Sequence, residues 1–247
     1  MVKFQLVSDI HIERETSIPK VEDYIIPTAP FLIMAGDIGH LEYYEQLYEF
    51  MVEVCKKYEA VIYVLGNHEY YTEGDYTMCE IFARAKQLEK SISNLYILNR
   101  NSVTLGDVCI VGCTLWSYTY NYIPPYIVRI PEMNTHKYME LYRKDLGYIK
   151  SMIEYCKENK LKLVVVTHHC PTYKVITGKK ANDRFKSLYA SHLDVLLNRE
   201  NVHTWVCGHI HRNFDFITDG GTRLVSNQKG KPKDNINDFQ KTKVITV

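Results

Sequence analysis

Short apolar runs in this chain stop abruptly at side chains that bind metals or move protons. Lys3 to Ser8 leads into Asp9-Ile10-His11, Phe31 to Ala35 into Gly36-Asp37, Leu161 to Thr167 into His168-His169, and Val202 to Cys207 into Gly208-His209-Ile210-His211. A fifth donor segment, Gly66-Asn67-His68-Glu69, stands with them. Each run has the length and β-branched content of a buried strand. A chain that sets Asp, Asn and His at the mouths of several such strands assembles one polar site from distant sequence.

The remaining punctuation completes an α/β pattern. Leu95 to Leu98, Val61 to Leu65, Val108 to Thr114, Phe214 to Thr218, Arg223 to Ser226 and Val244 to Val247 also read as strands. Helices fit Glu42 to Tyr58, Tyr76 to Lys90, His136 to Asn159 and Leu188 to Asn198, the first with an apolar stripe of Leu47, Phe50, Met51, Val54 and Tyr58. Early strand–helix alternation predicts parallel strands. The crowded strands after residue 202, broken by Asp219-Gly220-Gly221, predict an antiparallel hairpin region. Two stacked mixed sheets accommodate both halves better than one open sheet. The expectation is a single domain over 1–247, with a candidate cap at 117–145 around the Tyr- and Pro-rich stretch Tyr118 to Asn134. Gln228 to Asp238 reads as an exposed loop before the last strand.

Composition narrows the function classes. The net charge of +1 argues against an extensive nucleic-acid surface, and no apolar run approaches bilayer-spanning length. Seven cysteines without a C-x-x-C pair read as buried reduced thiols. With no secretory signal at the start, the expected location is cytoplasmic. The oligomeric state is not legible.

The donors suit divalent cations. Asp9 and His11, like His209 and His211, are spaced i, i+2 at a strand end, which in an extended chain sends both side chains to one side. Asp37 sits in a neighbouring mouth, where a carboxylate can bridge two cations. Asn67 offers a neutral carbonyl oxygen suited to a borderline-hard ion, and His168 closes its strand. His40, His136, His192 and His203 lack a neighbouring donor and read as structural. His169 could face either the sheet or a substrate. Two adjacent ions, roughly 3.5–4 Å apart, would polarise a phosphoryl oxygen and generate a bridging hydroxide near neutral pH.

In their order, Asp9-x-His11, Gly36-Asp37, Gly66-Asn67-His68-Glu69, His168-His169-x-Pro171 and Gly208-His209-x-His211 closely resemble the motifs of the calcineurin-like metallophosphoesterases. Leu115-Trp116 and Ser187-Leu188-Tyr189-Ala190-Ser191 are similar to small bacterial and viral members. The resemblance implies a four-layer αββα sandwich with a two-metal centre at the sheet edge. It implies that Asp9, His11, Asp37 and His211 hold one metal, and that Asp37, Asn67, His168 and His209 hold the other. His68 would stand beside the centre without binding metal, donating to the leaving oxygen as general acid or steadying the phosphoryl charge, with Asp37 and His68 catalytic and Asn67 and His68 touching substrate. Manganese is the expected metal, with iron or zinc as alternatives.

One departure bears on the substrate. The protein Ser/Thr phosphatases follow Gly-Asp with Asp-Arg-Gly, whereas Gly36-Asp37 runs into Ile38-Gly39-His40-Leu41. Without that arginine, a small phosphodiester, including a nucleotide or cyclic nucleotide, is the expected substrate. The alternatives are a phosphomonoesterase, acting on small molecules or proteins, and a non-catalytic scaffold of the same fold.

Overall fold

The computed structural model describes every residue of the chain except Asp75. Its first sheet has β1 (Lys3–Val7), β2 (Phe31–Met34), β3 (Ala60–Val64), β4 (Leu95–Leu98) and the C-terminal β11 (Val244–Thr246), in the order β11-β1-β2-β3-β4. The second has β5 (Asn101–Leu105), β6 (Val108–Cys113), β7 (Lys162–Thr167), β8 (Thr204–Val206), β9 (Phe214–Ile217) and β10 (Arg223–Ser226), in the order β5-β6-β7-β8-β10-β9. Pairing is parallel from β1 to β4 and across β6, β7, β8 and β10. Strand β11 lies antiparallel on β1, β5 on β6, and β9 on β10. Parallel pairing sends the C-terminal ends of β1, β2 and β3 to one rim of the first sheet, and those of β6, β7 and β8 to one rim of the second.

The period-two alternation of the strands builds the layers. Phe4, Leu6, Ile33, Ile62 and Val64 from the first sheet meet Val108, Ile110, Val164, Val166, Val206 and Val225 from the second in one buried cluster. Their alternates, Leu32, Met34, Val61, Tyr63, Val111, Val165 and Trp205, pack with the helices in the other. Helix α1 (Tyr44–Cys55) buries Leu47, Phe50, Met51 and Val54, the stripe predicted for it. Helix α2 (Met78–Ser91) starts at a capping box in which Thr77 Oγ1 accepts from Glu80 N. Helix α3 (Thr135–Glu158), capped by Asn134, lies on β6 and β7. The architecture is the expected four-layer αββα sandwich. No helix among the described residues is long and apolar enough to cross a membrane.

Three expectations need correction. Leu188 to Asn198 is not a helix but two short 3-10 turns, Lys186–Leu188 and Asp194–Leu196, with Ala190 bridged to Cys170 between them. Leu188, Leu193, Leu196 and Leu197 are buried, so their spacing reports burial rather than helical pitch. Strand β5 was missed because its polar sequence occupies a sheet edge. Gln228 to Asp238 is not simply an exposed loop, because it brings Lys231 and Asp234 to the wall of a pocket shared with Asp37, His68 and His211.

Candidate metal centre

The donor segments meet where the two rims face each other. Donor atoms of Asp9, His11, Asp37 and His211 form one group and those of Asp37, His168 and His209 another, with all atoms in each group within 4.8 Å of one another. Asp37 belongs to both. Its Oδ1 lies 3.2 Å from His168 Nε2 and its Oδ2 lies 3.8 Å from His11 Nε2. Asn67 joins the second group, since its Oδ1 is 3.1 Å from His168 Nε2 while its Nδ2 donates to Tyr71 Oη at 2.8 Å.

The backbone reaches this arrangement in a way the i, i+2 argument did not foresee. Strand β1 ends at Val7, and Asp9 and His11 are not extended but left-handed, with φ of 53° and 59°. Asp37, His209 and His211 share that conformation, at 53°, 72° and 49°. Left-handed backbone costs a non-glycine residue about 1–2 kcal/mol, and here it falls on five expected ligands. Two glycines give them room. A Cβ on Gly208 would lie 2.5 Å from Asp9 Oδ2, and one on Gly66 would collide with Asp37 Oδ1.

Each of the four imidazoles in the two groups is clamped from outside. His11 Nδ1 donates to Glu13 Oε1 at 3.0 Å, His168 Nδ1 to the Ala35 carbonyl at 2.9 Å, His209 Nε2 to the Leu188 carbonyl at 3.1 Å, and His211 Nδ1 to Asp234 Oδ2 at 2.5 Å. The second nitrogen of each ring then turns inward with a free lone pair. His11 Nε2 faces His211 Nε2 at 3.1 Å, and His209 Nδ1 faces His168 Nε2 at 3.2 Å. Lone pairs so close repel unless a proton or a cation lies between them. Outward donation that fixes the ring and raises its basicity is the arrangement metal-binding histidines require.

The electrostatics agree. Burial alone would raise the pKa of Asp37, but the facing His168 and His68 outweigh it and hold the carboxyl well below the usual range. Burial likewise opposes the ionised Asp9, and His211 overcomes it. Burial is the largest single influence on His168 and pulls it down, but Asp37, Asp9 and Glu69 together carry it up to about 10. A field that stabilises a proton there stabilises a divalent cation in its place. The mixed carboxylate, amide and imidazole set fits two borderline divalent ions sharing Asp37.

His68 stands beside these groups, with Nδ1 3.3 Å from Glu13 Oε1 and Nε2 3.1 Å from Lys231 Nζ. Burial lowers its pKa, while Asp37 and Glu13 draw it back up. His169 lies on the pocket wall, its ring 4.1 Å from that of His209, and burial with the His168 charge lowers it to about 3. His40 is buried beside the site, its Nε2 3.3 Å from His68 Nδ1. The pocket over these donors has a volume of about 290 Å³, and its apolar wall includes Trp116, Ile127, Val128, Tyr138, Phe185 and Leu188. The segment Tyr118 to Asn134 contributes Ile127 and Val128 to that wall. Tyr118, Tyr120 and Tyr122 stand exposed outside it.

Several residues at this site were missed in the sequence. Glu13 extends the alternation Asp9, His11, Glu13, which was a readable signal. Glu69 is buried and ties the rim of the first sheet together. It accepts from Asp37 N at 2.9 Å, Ile38 N at 2.6 Å, Gly66 N at 2.7 Å and Tyr63 Oη at 2.6 Å. Lys180, Lys231 and Asp234 come from loops that carry no local signal.

Comparison with known proteins places this site in a family. Residues 2–213 match the calcineurin-like phosphoesterase family, and the chain belongs to it. It is 24% identical over 221 residues to uncharacterized protein L509 of Acanthamoeba polyphaga mimivirus, covering 81% of this chain and 78% of that protein. Among solved structures, the phosphopantetheinyl hydrolase PptH from Mycobacterium tuberculosis superposes with a TM-score of 0.71 at 18% identity, over 94% of this chain and 90% of that one. A dimetal phosphatase from Danio rerio gives 0.55 at 13% identity, over 91% and 86%. These two likenesses concern the fold.

Proposed function

We propose that this chain is a two-metal phosphodiesterase acting on a small ester, including a nucleotide or cyclic nucleotide, with manganese as the working ion. The observation that carries the reading is Asp37, whose two carboxylate oxygens face two separate donor groups. Asp9, His11, Asp37 and His211 would hold one ion, and Asp37, Asn67, His168 and His209 the other. When bound, such ions polarise a phosphoryl oxygen and bring the pKa of water to about 7. The protein groups do the rest. Asn67 and His68 line the space where the phosphoryl group would lie. His68 supplies a proton from Nε2 to the leaving oxygen, while Glu13 accepts at Nδ1 and fixes the ring. The apolar wall beyond His68 gives the second esterified group of a diester a dry surface, and among the described residues no arginine lines the pocket.

We read residues 1–247 as one domain, with 117–145 as a cap supplying Ile127, Val128 and Tyr138 to that surface. A cytoplasmic location is supported by seven free cysteines, among them Cys170 and Cys207, whose thiols lie 3.5 Å apart in a hydrogen bond rather than a disulfide. The test compares bis(p-nitrophenyl) phosphate with p-nitrophenyl phosphate under Mn²⁺, Fe²⁺ and Zn²⁺. Preference for the diester, strongest with Mn²⁺ and abolished by a chelator, is expected, and His68→Ala should slow an alkyl diester more than the nitrophenyl one. Preference for the monoester overturns the substrate class, and unchanged turnover by Asp37→Ala overturns the enzyme reading in favour of a scaffold.

A further inference from the structure

Two lysines in the pocket stand apart from the others in the chain. Lys180 and Lys231 are half-buried and line the same cavity as Asp37, His68 and His211. Among the described residues, neither ammonium is ion-paired with a carboxylate, whereas Lys174 pairs with Asp219 and Lys243 with Asp215 at the surface. Among the described residues, Lys180 Nζ donates to the Ile210 carbonyl, and Lys231 Nζ lies 3.1 Å from His68 Nε2. An ammonium carries three N–H donors, so each retains two for another partner. Burial is the largest influence on both and pulls their pKa values down. Asp9 and Asp234 offset part of that for Lys180, and Asp37, Glu13 and Asp9 part of it for Lys231, but none of them pairs directly with either ammonium, so an anion arriving in the pocket recovers the remaining cost of withdrawing the cations from water.

We propose that Lys180 and Lys231 form a two-ammonium clamp for the non-bridging oxygens of a phosphoryl group, the task for which the pocket has no arginine. The inference rests on the proposed phosphoesterase reading and adds to it the residues that bind the anion. Lysine suits the place because it acts as a compact point charge, and inorganic phosphate is the smallest ligand sharing the chemistry. Lys231 has a second consequence. Its contact with His68 sets the anion beside the imidazole proposed to protonate the leaving oxygen. Lys233 also lines the pocket but is exposed and remains hydrated.

Titration calorimetry of inorganic phosphate into the Mn²⁺-loaded full-length protein tests the clamp without relying on turnover. Lys180→Gln and Lys231→Gln should each weaken phosphate binding about tenfold, the double variant about a hundredfold, and Lys231→Arg should recover most of the loss. Lys174→Gln, a surface change, should have no effect. Manganese content and thermal midpoint, measured in parallel, should match wild type. If the Lys231 variants do not fold, Lys180→Gln decides the matter alone. The clamp is overturned if the folded, metal-replete variants bind phosphate like wild type, if Lys174→Gln weakens it equally, or if wild type does not bind phosphate. Lysine-dependent phosphate binding by a protein that hydrolyses neither nitrophenyl ester would sink the catalytic reading and leave the clamp standing.

Discussion

Replacing Glu69 by Gln removes one charge and almost no volume, yet it should unfold the rim that carries Asp37. The carboxylate accepts three backbone N–H groups, from Asp37, Ile38 and Gly66, and the Tyr63 hydroxyl. An amide cannot accept at its nitrogen. With the NH₂ toward Asp37 and Gly66, two buried N–H groups lose their acceptor. With it toward Ile38 and Tyr63, the hydroxyl can rotate to accept, and only Ile38 N–H is orphaned. The second orientation should win. One orphaned buried donor costs roughly 1–3 kcal/mol, and the remaining bonds lose their charge assistance, so the total is about 2–4 kcal/mol. Burial and the Asp37 charge push the Glu69 carboxyl up to about 8. A protonated carboxyl still accepts from Ile38 through a lone pair, so the amide is the worse ligand in either state. For a chain of this size the loss corresponds to a fall of roughly 5–15 °C in Tm, read by calorimetry on metal-free protein at pH 9, where the Glu69 carboxyl is ionised. Glu42→Gln is the control. Glu42 also accepts two backbone N–H groups, from Glu73 and Gly74, but at the surface, where water can replace it, so its Tm should change little. A Glu69→Gln midpoint within about 2 °C of wild type would refute the reasoning that buried donor satisfaction holds this rim.

Three further outcomes follow from the same geometry. Chelator treatment should abolish hydrolysis and lower Tm, and Asp37→Asn should cut bound manganese from two ions per chain to one or none by elemental analysis, with at least a hundredfold loss in kcat/KM, beyond the 10–100-fold typical of supporting residues. Glu13→Gln removes the carboxylate that holds both His11 and His68. It should weaken manganese binding about tenfold and slow alkyl esters more than nitrophenyl esters, because only a poor leaving group needs the proton. The pH dependence of the metal-free protein carries a third. His169 is neutral in the fold, its pKa lowered to about 3 by burial and then by His168, whereas in the unfolded chain it titrates near 6.5. The unfolded state therefore takes up the proton first. The stabilisation is complete above pH 6.5 and drains away as pH falls toward 3, by up to roughly 1.4 kcal/mol per unit. His169→Asn should be less stable at pH 7 and close the gap to wild type by about that slope between pH 6 and 4 in urea titrations; parallel curves would contradict it.

Much of the donor set was legible because its elements are local. An apolar run of alternating or β-branched residues reports a strand whatever it packs against, and a Gly-led Asp, Asn or His at its end reports a strand mouth. Ten strands and three helices were accordingly read from the sequence, and Asp9, His11, Asp37, Asn67, His68, His168, His209 and His211 were picked out. The polar edge strand Asn101–Leu105 and the non-helical stretch after Leu188 were misread, because there the sheet edge and the buried surface, rather than local periodicity, decide the backbone.

What only the tertiary structure decided is the half of the site that holds the other half. Left-handed backbone at five donors is tolerated because the rims of two sheets oppose each other there, and no sequence window contains that constraint. Glu13, Glu69 and Asp234 earn their roles by distance to groups that are remote along the chain, or by satisfying a neighbour's backbone. Lys180 and Lys231 lie on loops whose composition reads as solvent-facing, and their burial follows from the path of the chain rather than from hydropathy. Strand-forming tendency is a property of neighbouring residues. The charge balance of a cleft depends on which distant groups share one low-dielectric space, and that is set only when the sheets stack.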